Sequence, residues 1–372
     1  MMRAVAAPAL TAWLDAHAEA LDTDAAYASE VLPRLAGDGL LGIGVPAALG
    51  GAGGTCIEAA EAIAQVARHS LTAAFVFWGQ RAFIEYLVQS ENDALRARWL
   101  GALLAGEHAG ATGLSNAMKH LSDLEPLQMS ATPLDADRGD RFALNGALPW
   151  ITNLRREGFV VAAAFDRSDG APPFIFAVPH DAHGVVRSDD LDLIALRASN
   201  TAALRLEHVE LDARWLIAAD ARTFLVRARP AFLGLQCGMS LGLARRALDA
   251  VQAASATVRA ALDDDAAALH HTLERLMRRL YDGLASGTFV AAPAALFEAR
   301  IGLAAVVDAA VRLEVQAAGG RGYLRTDLRT AGGDPRAGVA RRVREASFIP
   351  IVTPSIVQLK HQLAQHRRSE AA

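Results

Sequence analysis

The chain has 372 residues, 52% of them hydrophobic and 21% charged, with a formal net charge of -4. That length calls for two or three packed units, and the composition excludes wholesale disorder and a global basic field for nucleic acid. Alanine-heavy, lysine-poor usage predicts long packed helices. The two cysteines, Cys56 and Cys237, lack metal-ligand spacing, so they are expected as small buried thiols in a reducing compartment. Asp15, His17 and Glu19 interrupt any apolar leader, and no run reaches membrane-spanning length, which predicts a cytoplasmic location and no membrane span.

Residues 8 to 105 read as consecutive helices. Gly37-Asp38-Gly39 ends one of them, Thr55 to Glu58 forms a capping box for another, and Ser90 with Asp93 repeats that signal. The glycine-rich stretch from 39 to 55 has no lysine and is no P-loop; by its residues alone it is a flexible connector. From 109 to 213 the pattern changes to short apolar runs separated by turn signals, which predicts a compact β unit. Helical periodicity then returns over 220 to 256, 265 to 286 and 294 to 318, with shorter helices after 338 and 352. The expected units are an N-terminal helical domain over 1–108, a β domain over 109–215 and a helical-bundle domain over 216–372.

Several segments carry candidate chemistry. FALNGALPWITN, residues 142 to 153, reads as a strand, a hairpin-like turn and then Trp150, whose residue-level role is either core anchor or ligand wall. Gln316 to Tyr323 ends a helix at consecutive glycines, where backbone can approach a ligand closely. Arg321, Arg325, Arg329, Arg336, Arg341, Arg342 and Arg344 follow, interrupted by Asp327 and Asp334 and without interleaved aromatics. Phosphate contacts or interface ion pairs therefore fit this cluster better than nucleic acid. Gly234, Gly238 and Gly242 share one helix face, for close packing or as a shaved surface admitting a bulky acyl or aromatic group. Lys119 and His120 read either as a solvated loop tip or as a loop that recognises an acidic substrate or phosphopantetheine group, and His180, His183, His270 and His271 lack zinc-site spacing, so no metal is expected.

The stretch GLLGIGVPAALGGAGG, the Trp150-Ile151-Thr152-Asn153 tetrad, the Gln316-to-Tyr323 turn and Arg344-Glu345-Ala346 together resemble the acyl-CoA dehydrogenase family, which implies that the glycine-rich stretch is structural. The resemblance implies a mainly α fold with a central β domain: an N-terminal helical domain, a middle β-barrel domain and a C-terminal four-helix bundle. It implies FAD as cofactor, with FMN as the alternative because the family's R-x-x-F-G anchor is absent from residues 251 to 276. It further implies an acyl thioester substrate linked to CoA or a carrier protein, an electron acceptor flavoprotein or flavin reductase, and a homodimer or homotetramer.

By the same resemblance, Trp150, Ile151 and Thr152 lie against the flavin ring, and Asn116 stands where the family has a threonine in its flavin loop. Ser122 keeps that loop's serine and serves both flavin and substrate, Gln316, Gly319 and Gly320 meet the adenine and pyrophosphate end, and Ser355 adds a cofactor contact. Phe232 and Gly238 are expected at the substrate. The family's catalytic glutamate position falls on Thr353, and Glu345 sits in a structural motif, so the catalytic base is unassigned. The expected reaction is α,β-dehydrogenation with an unconventional or absent base. The alternatives are a flavin monooxygenase similar to dibenzothiophene monooxygenase, which needs no α-proton base, or a non-catalytic thioester-binding homologue.

Overall fold

The computed structural model describes residues 7–121, 124–134, 140–324 and 338–370. Ser122, Asp123, Arg325, Asp327, Arg329, Asp334 and Arg336 lie outside the described residues. The first helical unit contains α1 (Pro8–Thr23), α2 (Ala28–Gly37), α3 (Cys56–Ala67), α4 (Leu71–Gln89) and α5 (Asp93–Leu104). The α3 start is set by the capping box: Glu58 N–H donates to Thr55 Oγ1 at 3.4 Å, and Thr55 N–H donates to Glu58 Oε2 at 2.8 Å. At α5 the cap is Asn92, which accepts from Leu95 N–H at 3.0 Å; Ser90 instead donates to Ile217 O at 2.7 Å. That bond ties the end of α4 to the β unit. Nearly every residue of α4 is buried, because it runs through the centre with neighbours on all sides.

The glycine-rich stretch is a packed loop, the structural role the resemblance implied, and not the flexible connector its residues alone allowed. Gly44 N–H donates to Gly53 O and Gly53 N–H to Val45 O, both at 2.8 Å, while Leu40, Leu41 and Val45 are buried. Paired backbone and buried anchors fix it in place.

The middle unit comprises β1 (Ala109–Thr112), α6 (Ser115–His120), β2 (Met129–Pro133), β3 (Arg141–Ile151), β4 (Phe159–Arg167), β5 (Phe174–Pro179), β6 (Val185–Asp190), β7 (Ala202–Asp212) and β8 (Leu216–Ala218). Its strand order is β6-β7-β3-β2-β4-β5-β8, with β1 parallel to β4. No hairpin turn divides β3. The strand runs through Trp150, with register shifts between Leu144 and Gly146 and between Leu148 and Ile151 where it pairs with β7. These irregularities re-aim the side chains at its end.

The last helices are α7 (Ala221–Gln252), α8 (Ala256–Ser286), α9 (Pro293–Ala318), α10 (Val339–Phe348) and α11 (Ile356–Glu370). α8 begins earlier than the sequence suggested, because Asp263 to Asp265 lie on a largely solvated helix rather than breaking it. The α7 glycines are packing residues. A Cβ on Gly238 would stand 2.4 Å from Ala60 O of α3, one on Gly242 would stand 2.1 Å from Ala64 O, and one on Gly234 would meet Leu284 of α8. The face read as admitting an acyl group is thus filled by neighbouring helices. Gly242→Leu is expected to destabilise the protein by about 3 kcal/mol or more, since helix backbone cannot yield as a side chain can. Urea unfolding checks this, and a loss below about 1 kcal/mol would mean that α3 shifts easily.

Candidate functional site

A cavity of about 430 Å³ opens where the sheet meets the two helical units. Phe75 and Trp78 of α4 form its inner wall, and Leu148 to Thr152 at the end of β3 form another. The remaining walls come from the β1–α6 turn, residues 193–196, Arg344 to Phe348 on α10, and the following turn through Thr353.

Trp150 is 63% exposed, so it is no core anchor; β3 presents its indole at the cavity. Thr152 is buried on the wall and its hydroxyl donates to Ser199 O at 3.1 Å. Asn153 is also buried, with φ of 63°, and its amide donates to Gln80 Oε1 and Gly110 O, each at 2.9 Å. Gln80 in turn donates to Leu103 O at 2.9 Å and His108 O at 3.1 Å, and accepts from Gly110 N–H at 2.6 Å. This buried polar pin fixes the tetrad against α4 and β1, with both ends of the Gln80 amide and the Asn153 Nδ2 engaged.

The expected loop tip is the short helix α6, and its polar groups organise the opposite side. Asn116 is buried and lines the cavity, but its amide is engaged within the chain: it donates to Glu125 Oε1 and Pro126 O at 2.9 Å and accepts from Gln128 N–H at 2.8 Å. Lys119 pairs with Glu125 at 3.2 Å. Burial alone would raise the Glu125 carboxyl, but hydrogen bonds from Asn116 and Lys119 hold it below the usual carboxylate range. Among the described residues, Glu125 is the one carboxylate lining the cavity. Sequence reasoning missed it; its only signal was its spacing from Lys119.

Thr353 lies on the wall, with a cis peptide bond to Pro354. Its carbonyl accepts from Gln236 Nε2 at 2.9 Å, and Gln236 Oε1 accepts from Arg300 Nε at 2.8 Å. Arg300, 0% exposed, also donates to Ile349 O at 2.6 Å, bracing both ends of the turn. Its Nη1 has no partner, no carboxylate pairs with it among the described residues, and burial pulls its pKa down. Glu345 is fully buried, accepts from Leu71 N–H at 3.1 Å and pairs with Arg341 at 2.6 Å, so it acts as a strut.

Other nominated residues stand elsewhere. Phe232 packs in the core behind the wall, 5.1 Å from the Trp78 ring, and its carbonyl accepts from Trp78 Nε1 at 3.2 Å. Ser355 lies beyond the lining and accepts from Gln358 N–H at 3.3 Å, at the start of α11. Gly238 is packed on α3, as above. Gln316, Gly319 and Gly320 are exposed at the end of α9, off this cavity, beside Tyr323 at 92% exposure. No group of side chains that could hold a metal occurs among the described residues, and none of their helices is long and apolar enough to cross a membrane.

The family model for the acyl-CoA dehydrogenase N-terminal domain matches residues 1–107. A probable acyl-CoA dehydrogenase, YngJ, of Bacillus subtilis (strain 168) is 27% identical over 245 residues, covering 63% of this chain and 62% of that protein. Mitochondrial isovaleryl-CoA dehydrogenase of Pongo abelii is 28% identical over 191 residues, covering 50% and 44%. The chain thus spans less than two thirds of the length of these curated relatives. The solved butyryl-CoA dehydrogenase from Megasphaera elsdenii shares the fold, with a TM-score of 0.79 at 19% identity over 96% of this chain and 94% of that one. Helical, sheet and helical units meeting around one largely apolar cavity define the class. Within that class, residues 1–107 match the acyl-CoA dehydrogenase N-terminal domain, and the chain is similar to acyl-CoA dehydrogenases in sequence and shares their fold.

Proposed function

We propose that this protein is a flavin-dependent oxidoreductase acting on an acyl thioester, with FAD as its cofactor and FMN as the alternative. The carrying observation is the cavity: the exposed Trp150 and the pinned Thr152 on one wall stand with an aromatic wall from α4 and the Thr353 turn. Its size falls in the range of small-molecule sites, and its apolar lining with few convergent polar groups suits a planar heteroaromatic ring. The residues present therefore fit a flavin. When bound, flavin supplies a two-electron acceptor.

Trp150, Ile151 and Thr152 would hold the ring, with Asn116 shaping the adjacent turn. Ser122 keeps its proposed flavin and substrate contact from the family motif. Gln316, Gly319 and Gly320, exposed and remote from this cavity lining, suit the dinucleotide tail bound by a second copy in a homodimer or homotetramer. Acyl groups enter beside Thr353. Its hydroxyl is too weakly basic to take an α proton unaided, and Glu125 is a depressed carboxylate already engaged by Lys119. That wall without a carboxylate favours the second reading, a flavin monooxygenase. The substrate carrier, CoA or a carrier protein, and the acceptor, an electron-transfer flavoprotein or flavin reductase, complete the proposal, with the cytoplasm as its location.

The test is the anaerobic visible spectrum of FAD-reconstituted protein during addition of acyl thioesters. Bleaching is expected for an oxidoreductase of this kind. An unbleached flavin that, once reduced chemically, drives incorporation of oxygen into an added substrate supports the monooxygenase reading, and failure to retain any flavin overturns both.

A further inference from the structure

Asp22, at the end of α1, is 0% exposed, and it touches two separate walls of the cavity without lining it. Its Oδ2 accepts from Arg344 Nε at 2.8 Å, and its Oδ1 accepts from Leu196 N–H at 3.0 Å. Arg344 and Leu196 both line the cavity. Leu196 has φ of 57° and ψ of 34°, a left-handed conformation unfavourable for a leucine, so its turn needs an external anchor. Asp22 provides that anchor. The same 191–201 segment receives the Thr152 hydroxyl at Ser199 O, which links it to the proposed flavin wall.

We propose that Asp22 is a positioning residue that clamps Arg344 and the Leu196 turn in the arrangement that binds the cavity's ligand. The identity of that ligand rests on the flavin and thioester reading above; the clamp itself does not.

The charged groups facing Asp22 are Arg341, Arg344 and Glu345 of α10 and Glu19 of its own helix, while the 191–201 segment offers the Leu196 N–H. Glu19 takes a second bond from Arg344 at 2.6 Å, and Asp192 with Arg197 form their own pair. Burial first, then the Glu345 charge, pushes the Asp22 carboxyl up to about 6 against the pull of Leu196 and Arg344. The folded chain therefore binds more protons than the unfolded chain between the ordinary carboxylate pKa of 3.8 and about 6. Stability falls as pH rises through that window, and ionised Asp22 is less favourable to the fold than protonated Asp22. An ionised carboxylate kept under that penalty fits a role in arranging the site rather than holding the chain together.

Asp22→Asn imitates the protonated state, and Asp22→Leu removes both acceptors. The primary readout is hydrogen exchange of residues 191–201 in protein without cofactor, corrected for the intrinsic pH dependence of exchange, between pH 5 and 8. Wild type is expected to lose protection there as pH falls through about 6, with Asp22→Asn less protected and flat across the window. Its thermal midpoint at pH 8 should be equal to or above wild type. FAD affinity, read by fluorescence quenching, should be weaker by about tenfold at pH 8, the scale of one charge-assisted hydrogen bond. Unchanged protection in both variants overturns the clamp. So does a fall in thermal midpoint for Asp22→Asn that parallels its lost protection, because that is a structural role. Changed protection in a protein that binds neither FAD nor FMN leaves the clamp standing and refutes the flavin reading instead.

Discussion

Thr353→Glu is expected to raise the rate of thioester-dependent flavin bleaching by about a hundredfold or more, the lower end of what a positioned general base contributes. Thr353 lies on the cavity wall, half-exposed, so a longer side chain has room. Its turn is already braced by Gln236 and Arg300, which limits the motion of any base placed there. Arg300 is a buried cation with no carboxylate partner among the described residues. A carboxylate at 353 would enter its field and stay ionised at neutral pH. Anaerobic stopped-flow spectroscopy with short and branched acyl thioesters checks this. A variant that retains flavin but bleaches with none of them refutes the thioester pocket.

Glu314→Ala is expected to cost about 3 to 5 kcal/mol of stability, the usual result of stranding one member of a buried ion pair. Glu314 accepts from Arg342 Nε at 3.0 and 2.9 Å as well as from Nη2, and both side chains are 1% exposed. Without Glu314 the guanidinium is left inside the protein with Nε and Nη2 orphaned as well as Nη1. This pair fastens α10 to α9, and α10 carries Arg344, Ser347 and Phe348 of the cavity. Ligand affinity should therefore fall along with the urea midpoint. A stability loss below about 1 kcal/mol would mean that α10 is held chiefly by its apolar contacts, and the loss of ligand affinity would then disappear too.

The electrostatics around α10 explain why the arginine-rich C-terminal region resisted sequence reading. Arg341, Arg342 and Arg344 looked like one basic cluster, yet each meets a different carboxylate: Glu345 on the same helix, Glu314 on α9, and Asp22 with Glu19 on α1. The phosphate-contact reading fits none of these three. They are internal struts, and their partners lie up to 325 positions away.

Local signals in the chain suffice for the succession of helices, strands and helices, the α3 capping box, the span of α9 and the resemblance to acyl-CoA dehydrogenases. These follow from periodicity, end signals and short motifs, which act between residues close in the chain. Which residues share the cavity depends on how the units pack. Glu125, the 193–196 wall and the Asp22 clamp carry no local signature, because each depends on segments joined by packing rather than by sequence. The glycine face of α7 makes the same point: its spacing revealed a smooth surface, but only the approach of α3 showed that backbone fills it.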